Sequence, residues 1–155
     1  MISSLRHLNT VLFKNSHYLL SSCSTNAVYL SLKSYNGMDW RNVLYTQNNK
    51  YEEYSEAIIA NNRFNNNNLI IKLIKWHPDY EGQFHNHNGH HCYYKVLDGK
   101  ICETINTNDD NDILKHRIYA PNSIGYISDE IGEHKIKNLL SDKHSYSLHV
   151  YFKNN

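Results

Sequence analysis

The chain changes its hydrophobic rhythm near residue 50. Before that point Leu5, Leu8, Val11, Leu12 and Leu19 recur close to the 3.6-residue period, which predicts an amphipathic helix between Leu5 and Leu20. Ala27–Leu32 continues as a second helix. Asp39–Tyr45 reads as a third, short one with Asp39 as its cap. After residue 50, runs of strand length alternate with turn residues. Tyr54–Ala60 and Leu69–Trp76 read as a hairpin whose long connection is the polar stretch Asn61–Asn68. His91–Leu97 is ended by the turn pair Asp98-Gly99, and Lys100–Thr104 is expected to pair with it. Asn106–Asn111 reads as a loop, Leu114–Tyr119 as a strand and Pro121-Asn122 as a turn. Gly125–Ser128, His134–Leu139 and Tyr146–Phe152 complete the series. Short strands at such close intervals argue for an all-β sandwich or barrel. Residues 1–50 are expected to form a helical extension packed on a barrel of residues 51–155, in one domain.

Composition narrows the function classes. A chain of 155 residues suits one domain with a real core. Its 16 Lys and Arg nearly balance its 15 Asp and Glu, so no field of one sign attracts nucleic acid or an anionic membrane. Three cysteines, Cys23, Cys92 and Cys102, make no disulfide framework. Arg6, Lys14 and His17 interrupt any signal-peptide core, and no run approaches a membrane span. The expectation is a reducing, cytoplasmic setting and a monomer.

The chemistry is concentrated between Gly82 and Cys92. In an extended segment His85 and His87 face one side, and imidazole nitrogen is a good ligand for first-row transition metals. A chain with eleven His also carries such a pair by chance, and a third ligand must come from elsewhere. His134, which follows the Gly-containing bend Asp129–Glu133, is the best candidate. In the last strand Ser147, His149 and Tyr151 alternate with Leu148, Val150 and Phe152. Its polar face either meets water on an edge strand or lines a cavity in which Tyr151 exchanges a proton. Cys92 is open to two plain readings, a buried structural thiol or a zinc thiolate.

Taken together, three segments resemble the cysteine dioxygenase family of cupin-type thiol dioxygenases. The likeness rests on Trp76, on His85-Asn86-His87 through His91-Cys92, on Lys95-Val96-Leu97 with Gly99, and on Glu103-Thr104. It continues through Tyr126–His134 with Asn138, and ends in Ser147-Leu148-His149-Val150-Tyr151. The resemblance implies a small cupin β-barrel, a jelly roll, with Fe(II) held by His85, His87 and His134. A small thiol, by default L-cysteine, and O₂ would be converted there to a sulfinic acid. It implies that Cys92, standing where many cupins have a Glu ligand, and Tyr151 match the pair that forms a thioether crosslink in some members. Ser147 and His149 match residues that orient that tyrosine, Trp76 matches a residue packed beside the His, and Tyr54 and Glu56 fall on the substrate side.

One position departs from the family pattern. Members carry Tyr-x-Arg, whose arginine pairs with the substrate carboxylate, whereas this chain reads Tyr54-Ser55-Glu56. Two like charges about 4 Å apart at an effective dielectric near 20 repel by about 4 kcal/mol. Either another cation, Arg63 or Arg41, serves the site, or the substrate is cysteamine or another thiol without a carboxylate there. A non-catalytic metal-binding cupin and a zinc hydrolase are the readings from other classes.

Overall fold

The computed structural model describes residues 1–14, 24–43, 54–64, 67–107 and 114–153. Two helices, α1 (Leu5–Lys14) and α2 (Ser24–Ser34), precede the strands. These are β1 (Tyr54–Phe64), β2 (Asn67–Trp76), β3 (His91–Asp98), β4 (Ile101–Thr107), β5 (Leu114–Tyr119), β6 (Ile124–Ile127), β7 (Gly132–Asn138) and β8 (Ser145–Lys153). They form a five-stranded antiparallel sheet of order β1-β2-β8-β3-β6 and a three-stranded one of order β5-β4-β7.

The larger sheet is buried on both faces. On its outer face Leu69, Ile71, Leu73, Leu148, Val150 and Phe152 join Leu5, Leu8, Leu12, Val28 and Leu32 of the helices in one apolar core. On its inner face Ile74, Trp76, Cys92, Tyr94 and Val96 pack toward Ile101, Ile105 and Ile136 of the smaller sheet. Strand alternation produces both cores from the same sequence runs. β8 shows it most clearly: its apolar residues go out to the helices, and Ser147 and His149, both buried, go in. Of the polar face expected in water or in a cavity, His149 and Tyr151 line the cavity and Ser147 is buried behind its wall.

Several expectations are corrected. The polar residues Asn61–Arg63 are strand, not loop, paired in register with Ile70, Leu69 and Asn68, so the β1–β2 connection is short. β1 is the edge strand, where polar residues keep their ladder bonds without a buried face to fill. Asp98-Gly99 does not close a hairpin: β3 pairs with β6 and β8, while β4 pairs with β5 and β7. Gly99, at φ 82°, turns the chain from one sheet to the other against Ser145, whose Oγ accepts from Lys100 N at 2.9 Å. Asn106 and Thr107 belong to β4. Asp39 lies inside a 3₁₀ turn, Asp39–Asn42, and its carboxylate instead accepts from Leu5 N at 2.8 Å, at the start of α1. Of the predicted first helix, 15–20 lies outside the described residues, as do Leu44 and Tyr45 of the third.

Candidate metal centre

Two loops bring the three histidines together. His85 and His134 form an antiparallel bridge, each backbone N–H donating to the other's carbonyl at 3.0 and 3.1 Å. Past His85 the chain reverses through Asn88 and Gly89, both at positive φ. Asp129, on the bend between β6 and β7, accepts from His87 N at 2.7 Å and from Gly89 N at 2.6 Å. One carboxylate therefore ties the turn that carries His87 to the bend that leads to His134. Burial raises the pKa of Asp129, but these two donors outweigh it and hold the carboxyl below its usual value.

The ring nitrogens of His85, His87 and His134 lie within 4.8 Å of one another, close enough for one ion. His134 Nδ1 meets the Glu103 carboxylate at 2.8 Å, and His85 Nδ1 meets the Gln83 carbonyl at 3.1 Å. Those acceptors fix Nδ1 as the protonated nitrogen and leave the Nε2 lone pair for a metal. His87 Nδ1 is buried with no hydrogen-bond partner. Burial, and then the neighbouring imidazoles, push the pKa of His87 down to about 4. His85 is lowered as well, chiefly by burial. Rings kept neutral, with oriented lone pairs, suit a transition-metal ion.

The sequence assigns Glu103 no role beyond its part in the family likeness. It is fully buried, and its second oxygen accepts from Tyr119 OH at 3.0 Å. A signal was available: period two puts Ile101, Glu103 and Ile105 on one face, a charge between two core positions.

The second part of the site is a hydrogen-bond chain on the inner face of the larger sheet. Trp76 Nε1–H donates to Ser147 Oγ at 2.8 Å, and Ser147 Oγ shares a hydrogen bond with His149 Nε2 at 2.8 Å. On the other side of that ring, Nδ1 lies 3.4 Å from Tyr151 OH and 3.7 Å from Cys92 Sγ. Burial drives His149 well below its ordinary pKa, with the nearby imidazoles adding to it. Burial likewise raises the Cys92 thiol and the Tyr151 phenol, so all three are uncharged at neutral pH. Cys92 and Tyr151 are register partners on adjacent strands, and the Tyr151 ring lies 5.7 Å from that of His87. The predicted site residues therefore share one cavity of about 570 Å³, except that Cys92 and Ser147 stand behind its wall.

On the substrate side the cavity is lined by Tyr54, Glu56 and Trp76, and also by Lys72. Neither cation expected from sequence lines it: Arg63 is exposed opposite Asn68, and Arg41 lies over the Trp40 ring. Lys72 Nζ instead pairs with Glu56 at 3.0 Å. Of the two neighbouring histidines, His90 also lines the cavity and bonds the His87 carbonyl at 2.9 Å. His91 lies outside it, bonded to Tyr126 OH and stacked on Phe152.

Comparison with known proteins gives the chain a family and a fold. The family model for cysteine dioxygenase type I matches residues 24–154. Cysteine dioxygenase type 1 of Bos taurus is 28% identical over 123 residues, 75% of this chain and 58% of that protein. The chain thus spans little more than half the length of that relative. The Danio rerio protein of the same name is 27% identical over 152 residues, 90% of this chain and 72% of that one. In fold, the chain is similar to the Schizosaccharomyces pombe Cnp3 cupin domain, with a TM-score of 0.57 and 11% identity over 74% of this chain and 71% of that one. The fold is an all-β cupin.

Proposed function

This chain belongs to the cysteine dioxygenase type I family, and from that premise we propose that it is a non-haem Fe(II) thiol dioxygenase. Its reaction adds both atoms of O₂ to a small thiol to give a sulfinic acid, with L-cysteine as the first substrate to consider. The observation that carries the reading is the meeting of three imidazoles, two of them oriented through Nδ1, with His149 and Tyr151 at one cavity, backed by Ser147. A bare metal-binding cupin has no use for the second set.

His85, His87 and His134 would hold the iron, which would bind the thiol as thiolate and supply the electrons that activate O₂. The chain's own residues do the rest. Glu103 and the Gln83 carbonyl hold two of the ligand rings in orientation. Trp76 fixes Ser147, which sets the tilt of His149. His149 in turn positions the Tyr151 hydroxyl, which burial keeps protonated and able to donate toward a group held beside the imidazoles. Cys92, the register partner of Tyr151, would form a thioether with it, a two-electron oxidation that takes one hydrogen from each residue and passes them to O₂ as oxidant.

A second reading, cysteamine or another thiol without a carboxylate, is favoured by Glu56 in the cavity wall. Oxygen uptake by the Fe(II)-loaded protein with L-cysteine, cysteamine and 3-mercaptopropionate, with mass analysis of the products, tests both. Sulfinate formation from L-cysteine is expected. No uptake with any thiol would sink the enzyme reading, and metal analysis finding zinc with no oxygen chemistry would favour a hydrolase.

A further inference from the structure

Among the described residues lining the cavity, Lys72 is the one lysine or arginine and Glu56 the one carboxylate. Lys72 Nζ lies 3.0 and 3.3 Å from the two Glu56 oxygens, and 5.8 Å from the centroid of the Tyr151 ring. The ammonium is thus held between a carboxylate on one side and an aromatic face on the other. An ammonium has three N–H donors, and a lysine stem can swing while keeping one of them on its partner.

Strand order separates the two charges. Lys72 on β2 is the register partner of His149 on β8, whereas Glu56 stands one strand farther out, on the edge strand β1. Lys72 therefore stands one strand nearer than Glu56 to the His149–Tyr151 face that borders the imidazoles. We propose that Lys72 binds the carboxylate of the thiol substrate, and that Glu56 is an internal stand-in for that carboxylate, holding Lys72 in place and competing for it. The proposal rests on the thiol reading above. It moves the cation from β1 to β2, and it makes the pair a specificity device in which the strength of the internal pair sets the affinity for thiol acids.

Anaerobic calorimetry on the Fe(II)-loaded protein, titrated with L-cysteine or cysteamine, reads binding without turnover. Lys72→Met should weaken L-cysteine by about tenfold or more, the loss of a charge-assisted hydrogen bond, while cysteamine moves less than about twofold. Lys72→Arg should retain L-cysteine, which shows that charge and not packing is read. Glu56→Gln should tighten L-cysteine by about fivefold or more by removing a competitor, again with little effect on cysteamine. If Glu56→Gln weakens cysteamine and leaves L-cysteine unchanged, Glu56 is an ammonium receptor and the assignment falls. If Lys72→Met affects both thiols alike, the assignment also falls. If wild-type protein binds neither thiol, the thiol reading fails and takes this assignment with it.

Discussion

Glu103→Gln separates the charge of the buried carboxylate from its shape. In the native protein Oε1 lies 2.8 Å from His134 Nδ1 and Oε2 accepts from Tyr119 OH at 3.0 Å, with Glu103 and His134 both almost wholly buried. A hydrogen bond to a charged group contributes about 1.5–3 kcal/mol, roughly twice a neutral one. Glutamine keeps an acceptor for His134 Nδ1–H and lets Tyr119 reverse its hydroxyl. The substitution therefore removes about 1–2 kcal/mol of support for the ligand without opening a cavity. Metal affinity should fall by about tenfold, the low end of what outer carboxylates contribute to ligating histidines. Glu103→Leu strands both partners, each costing about 1–3 kcal/mol, and should lower the melting temperature as well. Competition for Fe(II) against a chromophoric chelator under anaerobic conditions measures the first effect, and thermal unfolding of the metal-free proteins measures the second. Metal affinity of Glu103→Gln within twofold of wild type, at an unchanged melting temperature, would refute the role given to Glu103.

Three further substitutions probe the surroundings. Trp76→Phe removes the donor to Ser147; it should cost about 1 kcal/mol, a fall of about 3 °C in melting temperature, and slow oxygen uptake at unchanged metal content. Gly99→Ala puts a Cβ at positive φ into Ser145 and should destabilise by about 2–5 kcal/mol in a denaturant melt, an undiminished midpoint being the contrary result. Cys92→Ser should abolish a species two hydrogens lighter in the intact mass of protein that has turned over. A wild-type mass distribution without that species would count against the Cys92–Tyr151 link.

Where the chain was legible, a local period or a local spacing carried the information. The alternation Ser147-Leu148-His149-Val150-Tyr151 sorts itself between a cavity and a helical layer, and the strands from Leu114 onward fall where turn residues bound them. What escaped depends on contacts distant in sequence. Asp39 has the chemistry of a cap, but the helix it serves begins 34 residues earlier. Asp98-Gly99 has the chemistry of a hairpin turn, but the glycine answers to Ser145 and not to a partner strand. Asn61–Arg63 is polar enough for a loop, yet an edge strand asks only for backbone pairing. Lys72 and Glu103 are charges set in largely apolar strand runs, a pattern that signals a polar contact without naming the partner.

The place of β8 in the larger sheet has a consequence for how activity is acquired. In the order β1-β2-β8-β3-β6, the pairs β1-β2 and β3-β6 are joined only by β8, the last of the described strands in sequence. Closing that sheet means pairing β8 with both β2 and β3, long-range contacts of the kind that slow folding. The same strand brings Ser147, His149 and Tyr151, whereas His85, His87 and His134 precede it. The two parts of the candidate site, the three imidazoles and the Ser147–His149–Tyr151 stripe, therefore meet only when the larger sheet is closed.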